Sequence, residues 1–84
     1  ANLEILSKQE KYNEYVFTTL RTIWGINKNT VKKEFGSLFY KYLEKAAFKW
    51  IKKKYISEDI DHYKLTKNGK AFADGVASDL FIID

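Results

Sequence analysis

The sequence predicts a mainly α domain with one small β-hairpin, ordered helix-helix-helix-hairpin-helix in the manner of a winged helix. Three observations lead there. Apolar residues recur at helical spacing in three separated segments. Glycine or cap-forming residues stand at the ends of those segments. Between Tyr55 and Leu65 the pattern changes to short alternating runs around a polar centre. A lone hairpin is marginal in water, so this one must lie against the helices.

The first helix is expected over residues 8–24. Ser7-Lys8-Gln9-Glu10 has the spacing of a capping box, in which the serine oxygen accepts an orphan backbone N–H and the glutamate reaches back to another. Tyr12, Tyr15, Val16, Thr19, Leu20 and Ile23 follow at helical spacing, and Phe17 and Trp24 widen the apolar surface, so the helix reads as central and largely enclosed. Gly25 directly after Trp24 can take the left-handed conformation that closes a helix.

Asn27, Asn29 and Thr30 supply turn and cap chemistry for a short second helix over 31–35, stopped by Gly36. Ser37 is the expected cap of a third helix over 38–53. There Phe39, Tyr42, Leu43, Ala46, Ala47, Trp50 and Ile51 form one face, and Lys41, Lys45, Lys49 and Lys52 the other. Tyr55-Ile56 and Tyr63 to Leu65 are the two hairpin strands. Thr66 then caps a last helix whose buried stripe is Phe72, Val76 and Leu80, broadened by Ala73 and Ala77.

Eighty-four residues suffice for one core and not two, so residues 1–84 read as a single domain: 1–6 a lead-in, 7–84 the folded unit. Hydrophobic residues at 45% and aromatic ones at 17% are enough to fold it. With no cysteine, the chain cannot by itself build a disulfide, a thiolate-held zinc or an iron–sulfur centre. No apolar run is long enough to span a bilayer, no secretory pattern opens the chain, and a reducing cytoplasm is the expected compartment. The chain starts at Ala1 and contains no methionine, which suggests a fragment of a longer protein.

Several pieces of this organisation resemble the C-terminal domain that follows the catalytic barrel in oxygen-independent coproporphyrinogen III oxidases and their haem-chaperone relatives. The most specific is Asn13-Glu14-Tyr15, followed at fixed distance by Leu20-Arg21 and Gly25, similar to the family's opening helix. Phe35-Gly36 looks like its second-helix stop. Leu65-Thr66 with Gly69 and Ala73-Asp74 is similar to its last strand and helix entry. One position departs: the family commonly has glycine before the first wing strand, where this chain has Lys53-Lys54.

The resemblance implies a non-catalytic accessory domain whose partner is the radical SAM barrel of its own full-length chain. That barrel would hold a 4Fe-4S cluster through a Cys-x-x-x-Cys-x-x-Cys motif and cleave S-adenosylmethionine. Through it the parent would either decarboxylate coproporphyrinogen III oxidatively or carry haem, and the resemblance does not separate the two. No cofactor is expected in this chain.

Within the chain, Asn13, Glu14, Tyr15, Arg21 and Trp24 are the candidates for meeting the barrel, Trp24 or Tyr15 bordering an exposed aromatic patch. Glu14 and Arg21, seven apart, project from nearly one helical face and could interact directly or through Thr18. They read either as a polar contact to the barrel or as ion pairing that anchors the helix to a neighbouring loop, and the need to pair charges on an enclosed helix favours the second.

No catalytic or metal site is expected. His62 beside Glu58, Asp59 and Asp61 fits no ligand spacing and reads as a solvated hairpin tip. The four scattered glycines form no phosphate-cradling loop. The different-class alternative is a DNA-binding winged helix of a transcription regulator, with the lysine stripe of the third helix on phosphate. The net charge of +4 allows it, but Glu44 within the stripe and the acidic hairpin tip argue against it.

Overall fold

A computed structural model describes the backbone of residues 2–82 and the side chains of residues 8–82. The elements run α1 (Asn2–Thr19), β1 (Ile26–Asn27), α2 (Lys28–Phe35), α3 (Ser37–Lys52), β2 (Ile56–Glu58), β3 (His62–Leu65), α4 (Lys67–Lys70) and α5 (Ala73–Leu80). The expected order of three helices, hairpin and C-terminal helix is present. β1 adds a third strand, antiparallel to β3, so the sheet order is β1-β3-β2 with Ile26 opposite Tyr63 and Ile56 opposite Leu65. This is winged-helix topology.

The core lies where α1, α2, α3 and α5 meet one face of the sheet. Tyr12, Val16 and Leu20 of the first-helix segment pack with Val31, Leu43, Ala47, Val76 and Leu80, and Ile26, Ile56 and Tyr63 close it from the strands. Tyr12 is wholly buried and donates its hydroxyl to the Leu80 carbonyl at 3.0 Å, which satisfies the one polar atom its ring brings inside. Its ring meets Phe35 and Phe39 edge-on, with centroids 5.6 and 5.4 Å away. Burial raises the Tyr12 pKa.

Several local expectations are corrected. The first helix runs from Asn2 to Thr19, so the expected cap at Ser7 and most of the 1–6 lead-in lie inside it; the Ser7 side chain lies outside the described residues. It ends five residues before Trp24 because three threonine hydroxyls turn back on the backbone: Thr18 to Glu14, Thr19 to Tyr15, Thr22 to Thr19. Such bonds compete with the helical ladder. Gly25 does take a left-handed φ of 73°, but after that turn. The helix is enclosed on one side only, since Glu10, Lys11, Glu14 and Phe17 face solvent.

β1 was invisible to alternation because it is two residues long. Asn27 does two jobs there, pairing with His62 and capping α2 by accepting the Thr30 N–H at 3.1 Å. α3 begins at Ser37 with no side-chain cap bond, Gly36 holding the N-cap position at φ 90°. Tyr42 is exposed rather than on the buried face. The last helix is two: Thr66 caps α4 through the Gly69 N–H at 3.0 Å, and α5 restarts after Phe72. Phe72 is 54% exposed and stacks on Tyr55, while Val76, Ala77 and Leu80 are buried.

Candidate docking surface

The five candidate residues divide by what their side chains touch. Asn13 is a two-pronged tie: Nδ2 donates to the Ile82 carbonyl at 3.1 Å, and Oδ1 accepts the Ile82 N–H at 2.9 Å. It fastens the segment after α5 to the middle of α1. The Tyr15 hydroxyl accepts the Asn27 N–H at 3.1 Å, joining α1 to the start of α2. Arg21 pairs with Asp74 at the start of α5, and its guanidinium lies 4.3 Å from the centroid of the Phe17 ring.

Glu14 and Trp24 remain. The Glu14 carboxylate forms no ion pair among the described residues; it borders a groove between α1 and α2 together with Lys8, Lys11, Tyr15 and Glu34. The pairing of Glu14 with Arg21 does not form, and Thr18 bonds instead to the Glu14 carbonyl. Trp24 is 67% exposed and Ile23 beside it 75%. Phe17 on α1 is also partly exposed, under the Arg21 guanidinium and 6.5 Å from Phe81. Two adjacent large apolar side chains this open are the kind of patch that marks a contact surface.

The turn that displays them is held by hydrogen bonds. Thr22 bonds at both ends, its hydroxyl donating to the Thr19 carbonyl at 2.7 Å and accepting the Gly25 N–H at 3.1 Å. A Cβ at Gly25 would collide with the Tyr63 backbone carbonyl, so glycine is needed where the turn crosses β3. Ile23 and Trp24 therefore project from a braced five-residue turn, residues 20–24, whose far end is sealed on the sheet. Sequence reasoning singled out Trp24 but placed Ile23 in the buried stripe; the run of threonines was the available signal that the helix stops first.

The exposed face of α3 is basic. Of the lysine stripe, Lys49 is held by Asp79 at 2.8 Å and Lys52 lies 4.7 Å from the centroid of the Phe48 ring. Asp79 also accepts the Trp50 indole N–H at 2.8 Å. Its carboxyl is held below the ordinary aspartate range, first by the hydrogen bond from Lys49, with the indole adding to it against the cost of burial. At the wing, Lys28 reaches inward to Glu58 at 2.6 Å and lies 4.7 Å from the centroid of the Tyr63 ring. His62, half-buried at the start of β3, has its Nε2 3.5 Å from the Asn27 amide.

Among the described residues no group of three or more His, Cys, Asp or Glu side chains could hold a metal ion. No thiolate exists in the chain to hold an iron–sulfur cluster. No helix among them is long and apolar enough to cross a membrane.

The fold is thus a winged-helix domain that exposes Ile23 and Trp24 on one turn and a row of lysines on α3. The chain belongs to the HemN C-terminal domain family, which matches residues 6–72. The match takes in all five candidate residues, the wing and the α4 turn. It is thus an accessory domain of HemN-like radical SAM proteins, and the catalytic domain is not contained in these 84 residues. No curated protein and no solved structure matches the chain.

Proposed function

We propose that this domain docks on the catalytic barrel of its own radical SAM parent and helps close its active-site side, with Ile23 and Trp24 as the central contacts and Phe17, Arg21 and Glu14 around them. The observation that carries the reading is the braced turn: exposing two large apolar side chains on a rigid support is unfavourable in water unless a partner covers them. Tryptophan in particular brings a large contact area with few rotamers to fix. Asn13 and Tyr15 act one step back, holding α1 against the C-terminal segment and α2 so that the turn keeps its position.

The domain contributes binding and shape and no chemistry of its own. The cluster and S-adenosylmethionine belong to the barrel, as does the work on porphyrin or haem, in the cytoplasm. Either oxidative decarboxylation of coproporphyrinogen III or haem delivery is compatible with this domain.

The regulator alternative is weakened by the wing and the stripe. Lys49 is already paired and Lys52 lies against Phe48, while Glu58, Asp59 and Asp61 make the hairpin acidic where it would approach phosphate.

Calorimetry of this chain against its separately produced barrel tests the proposal. Replacing Ile23 and Trp24 together by serine should weaken binding by about tenfold or more, as for central aromatic anchors, with an unchanged circular dichroism spectrum. Equal affinity of the double variant would contradict it.

A further inference from the structure

The two edges of the sheet differ. At β1 the Lys28 N–H donates to the Asp61 carbonyl at 2.7 Å, so the backbone of Asn27, one residue earlier, turns away from β3, where its N–H is taken by the Tyr15 hydroxyl at 3.1 Å. That edge is engaged by α1. At β2 the Asp59 N–H donates to the His62 carbonyl at 2.9 Å and the Thr66 N–H to the Tyr55 carbonyl at 3.0 Å, so Tyr55, Ser57 and Asp59 turn their backbone groups to β3. Alternation then points the N–H and C=O groups of Ile56 and Glu58 outward, and these have no partner among the described residues. Ser57 and Glu58 are exposed. An open strand edge is a template for a further strand.

The charges around β2 indicate which strand. Lys52-Lys53-Lys54 precedes it and Glu58-Asp59-Ile60-Asp61 ends it, so the sign changes along its length. Among the described residues Lys54 and Asp61 form no ion pair, and Asp59 meets only Lys64, at 4.0 Å. Charges at an edge ordinarily deter pairing. A second copy running antiparallel is the exception, because the reversed direction brings the basic start of each strand to the acidic end of the other. A parallel copy would set like charges together.

We propose that β2 pairs antiparallel with β2 of a second copy of this chain about a two-fold axis, joining two sheets of order β1-β3-β2 into one. In a register centred on Ser57, Ile56 of each copy stands opposite Glu58 of the other, and backbone bonds fill every outward group. Lys54 of each copy then lies beside Asp59 of the other. Three residues of strand make a small contact, so the dimer is weak, with a Kd on the order of 0.1–1 mM. This contact does not rest on the barrel docking at Trp24.

The test is a dilution series of the ¹⁵N-labelled chain from about 1 mM, read by amide shifts, hydrogen exchange and sedimentation equilibrium. Shifts are expected at Ile56 and Glu58, whose exchange slows as concentration rises, while Ser57, with its N–H already on β3, is protected throughout. In a mixture of ¹³C-labelled and unlabelled chains, a nuclear Overhauser effect should join the Ser57 Hα protons of the two copies, the close approach of a non-hydrogen-bonded antiparallel pair. Lys54→Glu and Asp59→Lys should each weaken self-association about tenfold, and the double variant, which exchanges the charges, should restore it. Replacing Ile23 and Trp24 by serine should leave it unchanged.

A chain that stays monomeric at about 1 mM overturns the proposal. Self-association that maps to Ile23 and Trp24, or that survives both single charge reversals, does the same. So does a double variant with unchanged circular dichroism that fails to associate. Protection of Ile56 and Glu58 that appears only on adding the barrel would assign the edge to the barrel, with the same consequence.

Discussion

Trp50 and Tyr55 stack across the end of α3, ring centroids 5.6 Å apart and planes 19° from parallel. They are the apolar pair of a Schellman motif: the Tyr55 N–H donates to the Trp50 carbonyl at 2.9 Å, and the Lys54 N–H to the Ile51 carbonyl at 3.0 Å. Between them Lys54 sits at φ 67°, alone among the described non-glycine residues in having a positive φ. Lys53-Lys54 is the place where the sequence resemblance leads one to expect a glycine. The motif keeps its hydrogen bonds and its stack, and the lysine carries the steric cost of a Cβ in the left-handed region.

Lys54→Gly should therefore stabilise the domain, by about 0.5–1 kcal/mol after the extra chain entropy of glycine is set against the relieved strain. In a chain of this size that is a rise in Tm of about 2–8 °C. Lys54→Ala keeps the Cβ and should change little. Thermal scans of the three proteins check this, and equal gains for alanine and glycine would remove strain as the explanation.

Two other glycines should behave oppositely. A Cβ at Gly69 would meet the Tyr55 backbone carbonyl, which cannot move without breaking the β2 entry, whereas a Cβ at Gly75 meets nothing within 4 Å. Gly69→Ala is expected to cost about 2–3 kcal/mol, and Gly75→Ala to add about 0.5–1 kcal/mol by restricting the unfolded chain. Urea titrations of both variants read the difference.

Asn13→Ala removes both bonds to Ile82 and should cost about 1–3 kcal/mol. The loss should be local first. Hydrogen exchange at the Ile82 amide should accelerate in the variant far more than at Val16 or Leu43, and uniform acceleration would mean that Asn13 stabilises the whole core instead.

How much of this was legible in the sequence follows from the range of each signal. Tyr12, Val16, Leu43, Ala47, Val76 and Leu80 could be placed in the core from spacing alone, because a helix repeats its face within a few residues. The stop of α1 at Thr19 was obscured, since Leu20 and Ile23 continue the period while the backbone has already turned. β1 exists only because β3 passes beside it, and nothing within Ile26-Asn27 records that. Among the candidate contacts, Trp24 was readable as an aromatic beside a glycine. The partners of Asn13, Tyr15 and Arg21 lie 69, 12 and 53 residues away and could not be read from local pattern.

The ion pair of Asp79 with Lys49 gives a pH signature. The carboxyl's pKa is lower folded than unfolded, so the stabilisation is fully present above the ordinary aspartate value and is lost as pH falls through the lowered folded value. Asp79→Asn can still accept the Trp50 indole N–H but loses the charge. The stability gap between wild type and this variant should hold near neutrality and close in acid below the ordinary aspartate range. Both groups of the pair are partly exposed, so salt should shrink the gap too. A gap unchanged down to the acid limit would point to packing rather than charge.

The central claim is that the turn bearing Ile23 and Trp24 meets the radical SAM barrel, and amide-shift mapping of this chain with its own separately produced barrel tests it most directly. Shifts are predicted at Phe17, Arg21, Ile23 and Trp24, including the Trp24 indole N–H, with smaller ones at Glu14. Perturbation confined to the face of Lys41, Lys45, Lys49 and Lys52, or no perturbation at saturating barrel, would contradict the account.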